Sequence, residues 1–254
     1  MGNIIRADIK QAVFSWRLIL AGIAFCGLLF MAGFETILDA ARSEDLLFNG
    51  FHGKLIYDAL SSDTVLLAVP ILCALPYGAA YIDDIKTGFV KLYISRTSRQ
   101  GYVLGKFTGC LVSGGFVPVI GTLLAYGIAY LVFAPMEAAP MEEVETKQWF
   151  WDTVYACGRF FLSGGFWAFL GMLMSSQMES KYIAYAAPFV FYYLLIILHE
   201  RYFTSLYVID PKGWLWPGEE WVYGPWSAAV VNIECMVLEV LCFMAAVRKR
   251  VAEL

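Results

Sequence analysis

The chain has 254 residues, of which 60% are hydrophobic and only 16% charged, with a formal net charge of −4. Soluble domains are roughly 45–50% apolar and about 25% charged, so a soluble globular enzyme or a basic nucleic-acid binder is excluded. The composition instead predicts an all-α integral membrane protein. At this length it holds a single transmembrane domain over residues 1–254, a bundle of roughly six spans.

The six cysteines form no disulfide framework. Cys26, Cys73, Cys110, Cys235 and Cys242 fall inside apolar runs and Cys157 opens one. No C-x-x-C spacing occurs, so they read as small apolar packing residues rather than metal ligands.

Residues 3–16 place Ile5, Ile9, Val13 and Trp16 at helical spacing, with Arg6, Asp8, Lys10 and Gln11 facing elsewhere. This predicts an amphipathic helix in the inner membrane interface. Span 1 follows at about 18–34. It exceeds the roughly 7–15-residue core of a signal peptide and no A-x-A site comes after it, so it reads as a retained span. Segment 35–63 is acidic and expected outside. Span 2 is about 64–82, with Pro70 and Pro76 as kinks.

Next comes the polar break Ile82–Lys106, in which Lys86, Lys91, Arg96, Arg99 and Lys106 oppose Asp83 and Asp84. A basic loop between apolar segments belongs in the cytoplasm. Span 3 runs about 107–133, long enough to require tilt or a bend near Pro118. Gly121, Ala125 and Ala129 recur every four residues along it, a pattern that lets a neighbouring helix approach closely.

Segment 134–154 is again acidic and external. Span 4 is about 155–176, an inner turn holds Glu179 and Lys181, and span 5 is about 182–198. Residues 199–225 are too polar and too rich in Pro and Gly to cross, yet they carry Tyr202, Phe203, Tyr207, Trp214, Trp216, Trp221 and Tyr223. They read as an external re-entrant segment at the outer interface. Span 6 is about 226–247. Arg6, Lys10 and Arg17, the five cations of the central loop, Lys181, and Arg248, Lys249 and Arg250 make twelve of the 18 basic residues. Their placement puts both termini in the cytoplasm of a cell that carries the chain in its plasma membrane.

Catalytic patterns are missing from the sequence. There is no G-x-x-x-x-G-K-[ST] phosphate loop and no H-E-x-x-H, and the two histidines, His52 and His199, fall on external segments. Glu219-Glu220 begins like a glutamate-based intramembrane protease motif but lacks the arginine and histidines that would complete it. No cofactor, metal or nucleic-acid partner is expected for the chain itself. Span 6 contains Asn232, Glu234 and Glu239. A carboxylate near the bilayer centre costs on the order of 3 kcal/mol, so these residues should face the bundle interior or water, either as a polar substrate path or as structural groups hydrogen-bonded beside Asn232 or a neighbouring helix. The two glutamates lie roughly 140° apart around the helix and do not form a pair.

The pattern Asp83-Asp84, Lys86-Thr87-Gly88, an apolar stretch, Ser95-Arg96, Arg99, then Tyr102 to Gly105-Lys106 resembles the region between spans 2 and 3 of ABC-2 type permeases. These are membrane subunits of ATP-binding-cassette transporters. An interfacial N-terminal helix, six spans and a re-entrant stretch before the last span fit the same layout. Asp83-Asp84 departs from the family, which more often has glutamate there.

The resemblance implies a coupling helix between spans 2 and 3 that docks on an ATPase subunit. Asp83, Asp84, Lys86, Arg96 and Arg99 would make polar contacts, Phe89, Leu92 and Tyr93 would fill an apolar groove, and Gly88 would permit a turn. It implies ATP and Mg on a partner ATPase, a second permease copy or homologue, and export of an amphipathic, peptidic or lipophilic compound. The alternative is a non-transporting sensor or assembly factor that binds a cytoplasmic partner through loop 83–106.

Overall fold

The computed structural model describes residues 2–42, 46–88, 99–138, 144–221 and 223–252. Among these there is no β-strand. A single bridge joins Leu47 to Glu137. The helices, in order, are α1 (Gly2–Val13), α2 (Trp16–Ala32), α3 (Phe34–Arg42), α4 (Phe51–Ser61), α5 (Asp63–Ala74), α6 (Ala80–Lys86), α7 (Arg99–Phe133), α8 (Val144–Met178), α9 (Lys181–Arg201), α10 (Pro211–Leu215) and α11 (Pro225–Ala252). Single 3₁₀ turns occupy Ala134–Met136 and Tyr207–Ile209.

Four of these helices are long and apolar enough to cross a membrane: those of 99–136, 147–178, 181–201 and 226–250. Two bent pairs bring the number to six if each counts as one span. The first is α1 with α2, bent by 50°. Ser15 breaks it with an extended backbone, and its hydroxyl accepts from Arg17 N at 3.3 Å. The second is α4 with α5, bent by 71° at Ser62, whose Oγ accepts from Val65 N. A serine at such a position satisfies an orphan donor and starts the next helix in a new direction.

Three sequence expectations change in detail. Segment 35–63 is not a plain loop, because α3 and α4 occupy most of it. α4 buries Phe51, His52, Leu55, Ile56, Ala59 and Leu60, an apolar content that cannot stay in water. The stretch expected as span 2 is divided: α5 continues through Pro70 to Ala74, a turn containing Pro76 follows, and α6 resumes at Ala80. Of residues 199–225, the first three complete α9, and the described residues between it and α11 form one 3₁₀ turn and the short α10, whose Trp214 is buried against Phe166 and Trp167. Asp210 caps α10 through Lys212 N at 3.0 Å.

α7 and α8 cross at a four-residue sequence present in both, Ser113-Gly114-Gly115-Phe116 and Ser163-Gly164-Gly165-Phe166. A Cβ on Gly114 would lie 2.6 Å from Gly164 O, and one on Gly164 would lie 2.7 Å from Gly114 O. The two backbones touch there, and only glycine fits. The Gly121, Ala125, Ala129 seam is buried as well, and faces α2: a Cβ on Gly121 would lie 2.8 Å from Gly22 O.

Candidate functional site

The bundle has a basic end and an acidic end. At the basic end, the side chain of Lys106 is 3% exposed. Its ammonium donates to Asp84 Oδ2 at 2.8 Å, Asp8 Oδ1 at 3.1 Å and the Tyr77 hydroxyl at 3.2 Å. Those three acceptors use its three protons. Tyr77 OH donates onward to Asp8 Oδ1 at 2.7 Å, and Tyr102 OH donates to Asp84 Oδ2 at 2.9 Å. The ammonium also lies 5.3 and 5.5 Å from the ring centres of Tyr77 and Tyr102, within cation–π reach.

Each group is placed by its element. Tyr102 and Lys106 stand one turn apart on α7, Asp8 and Ala12 one turn apart on α1, Asp84 lies on α6, and Tyr77 sits in the turn after α5. One cation thus joins α1, α6 and α7. One buried carboxylate, Asp8, and one part-buried, Asp84, around a single ammonium make the cluster depend on Lys106. The apolar stripe of α1 predicts an amphipathic helix without saying which side meets the bundle. Asp8 points into the bundle, whereas Val13 and Trp16 of that stripe are exposed. The stripe suits lipid, and the polar residue finds its partner inside.

Around this cluster, Lys181 pairs with Asp83 and Arg250 pairs with Glu179 at 2.6 Å. Glu179 holds a left-handed φ of 53° in the tight turn between α8 and α9. α6 ends in a left-handed Gly88 (φ 73°), with Thr87 N donating to Asp83 O and Gly88 N to Ile85 O. That is the ordinary use of glycine just past a helix C-terminus.

Of the residues expected to contact a partner, Asp83 and Asp84 are therefore engaged within the chain, while Lys86, Gly88 and Arg99 are exposed. Phe89, Leu92, Tyr93 and Arg96 lie outside the described residues. On α11, Asn232 and Glu239 are buried two turns apart on one face, and Glu234 is exposed on the other side. Asn232 Nδ2 donates to Ala228 O at 3.1 Å, and neither Glu239 oxygen has a hydrogen-bond partner among the described residues.

The acidic end has its own clasp. Leu47 N donates to Met136 O, and Ala138 N donates to Leu47 O. The Glu137 carboxylate accepts from Gly50 N and His52 N, both at 2.9 Å, and lies 2.7 Å from His52 Nδ1. Burial acts to raise the Glu137 pKa, but the bonds from His52 and Gly50 outweigh it and hold the carboxyl below its ordinary value. The amides belong to the N-terminus of α4, where a negative charge is favoured.

No group of three or more His, Cys, Asp or Glu able to hold a metal occurs among the described residues. No protein-family model matches the chain, and a search of curated proteins finds no match. What the fold defines is a class: an all-helical membrane protein with four to six helices able to span a bilayer.

Sequence reasoning missed Asp8, Tyr77 and Lys106 as a unit. The available signal was Lys106 itself, set between Tyr102-Val-Leu-Gly and Phe107-Thr-Gly-Cys. A charge embedded in apolar sequence at a span's edge calls for a partner on another element.

Proposed function

We propose that the chain is a six-span permease subunit of an ATP-binding-cassette transporter of the ABC-2 type. The single observation carrying this reading is the Lys106 cluster. It fixes both shoulders of the basic segment, α6 ending at Lys86 and α7 starting at Arg99, to each other and to α1. A partner pressing on residues 87–98 would therefore displace three helices together. The adjoining Asp83–Lys181 and Glu179–Arg250 pairs extend that connection to α9 and α11.

In this reading both termini and the basic end face the cytoplasm. Lys86, Arg96 and Arg99 meet a separate ATPase subunit, which holds ATP and Mg, and Phe89, Leu92 and Tyr93 enter its groove. Asn232 and Glu239 line the route of an amphipathic, peptidic or lipophilic compound moved outward. Glu234, a carboxylate on the exposed face of α11, supports a second permease subunit against that face, because lipid alone solvates a carboxylate poorly.

The test is affinity purification of the full chain in mild detergent followed by an ATPase assay. The expected result is a stoichiometric ATP-binding-cassette ATPase that is lost on reversing Arg96 and Arg99 to glutamate. Purification with a non-ATPase partner through the same loop would replace the transport reading with that of a sensor or assembly factor.

A further inference from the structure

A cleft of about 610 Å³ opens between α8, α11 and the segment after α10. That is within the range of small-molecule sites. Arg159 lines it. Its Nε donates to Leu215 O at 3.1 Å, and the guanidinium stacks over the Trp216 ring at 5.6 Å. The terminal guanidinium nitrogens have no hydrogen-bond partner among the described residues, so part of a strong donor fork faces the cleft. Asp152, two turns earlier on the same face of α8 and roughly 10 Å away along the axis, also lines it. It makes no hydrogen bond or close ion pair among the described residues, though its charge acts on Arg159 and Tyr57 across the cleft.

The depth of the cleft is legible from helix lengths. Arg159 stands roughly 28 Å along α8 from Met178, and Trp226 stands roughly 33 Å along α11 from Arg248, at about 1.5 Å per residue. Both measures reach the far boundary of a hydrocarbon layer about 30 Å thick. Trp226 and Tyr155 at the cleft mouth are 71% and 55% exposed. From Trp226 an apolar edge continues down α11 through Val230, Ile233 and Val237, all exposed. Glu234 lies roughly 80° around the helix from Trp226, off this edge.

We infer that this cleft seats the headgroup of a zwitterionic phospholipid from the leaflet at the acidic end. The phosphate meets Arg159, the amine lies outward against Asp152 and the aromatic walls, and one acyl chain runs along Val230 and Ile233. The order of charges selects the ligand. The cation is deeper and the anion nearer water, which is how a phosphate and its amine are stacked in a bilayer. A purely anionic lipid would meet Asp152 unfavourably. The inference needs only that the helices span a membrane and does not rest on an ATPase partner.

The test is native mass spectrometry of the detergent-purified full chain, titrated with phosphatidylethanolamine, phosphatidylglycerol and diacylglycerol of matched chains, and with tail-less glycerophosphoethanolamine. The expected result is a single retained phosphatidylethanolamine, with bound fraction reduced about tenfold in Arg159→Gln, as for loss of a charged hydrogen bond. Asp152→Asn removes no bond within the protein, and is expected to shift preference toward phosphatidylglycerol. Equal binding of diacylglycerol, equal binding of the tail-less headgroup, or an unchanged lipid preference in Asp152→Asn would each overturn the inference.

Discussion

Lys106 and Asp8 are 98 positions apart in the chain, and their charged atoms lie 3.1 Å apart in the fold. The bond ties an N-terminal helix to the start of the longest apolar run, and its energetics can be measured. Lys106→Met leaves the buried Asp8 and the part-buried Asp84 without a counter-charge, and is expected to destabilise the protein by about 3 kcal/mol. Lys106→Met combined with Asp8→Asn and Asp84→Asn should recover much of that loss. Thermal unfolding in one detergent, run as a mutant cycle, gives the comparison. Equal unfolding temperatures for Lys106→Met and the parent would remove the cluster from its central place.

Two adjacent aspartates should behave unlike each other. Asp84→Asn disturbs a bond to a buried ammonium and the Tyr102 hydroxyl, and is expected to cost about 2 kcal/mol or more. Asp83→Asn breaks a partly exposed pair with Lys181, worth about 0–1 kcal/mol. The same unfolding assay separates them, and comparable losses for the two would be the contrary result.

These expectations show what was and was not legible beforehand. The apolar runs of α7, α8, α9 and α11 could be read directly, because about 20 apolar residues have few other fates. The bends at Ser15 and Ser62 could not, since a serine between apolar stretches looks the same in a straight helix. The sequence placed Asp8 off the apolar stripe of α1 but gave no sign that this side turns into the bundle, because a helical stripe indicates only where apolar groups gather. In a membrane that place can be lipid, while the polar side turns inward. The repeated Ser-Gly-Gly-Phe was visible as letters, but its meaning depends on α7 and α8 crossing at it.

The glycine crossing has a clean control. Gly164→Ala should destabilise by about 1–3 kcal/mol through overlap with the α7 backbone. Gly127, inside α7, has open space where a Cβ would point. Gly127→Ala should be neutral or stabilising by up to about 1 kcal/mol. Unfolding temperatures that fall for Gly127→Ala but not for Gly164→Ala would contradict the packing.

Acid should loosen the clasp at the opposite end first. The Glu137 carboxyl is held below its ordinary pKa of 4.5. Its contribution is therefore fully present above that value and is lost as pH falls through the lowered one. Hydrogen exchange of the Gly50 and His52 amides should accelerate across that window, after correction for the intrinsic pH dependence. Glu137→Gln should abolish the pH-dependent part. An unchanged acid response in the variant would assign it to another group.

The contact between Gly114 and Gly164 also limits how the molecule can work. Where two main chains meet without intervening side chains, no rotamer change can absorb a shift, so sliding α7 past α8 would require their separation. The pair is then a fixed post, and in the proposed permease a transport stroke would pivot elsewhere. The positions free to do so are the serine hinges at 15 and 62 and the turn between α5 and α6. In the proposed permease, a crosslink between α7 and α8 away from the glycines should leave transport intact, and one across a serine bend should stop it.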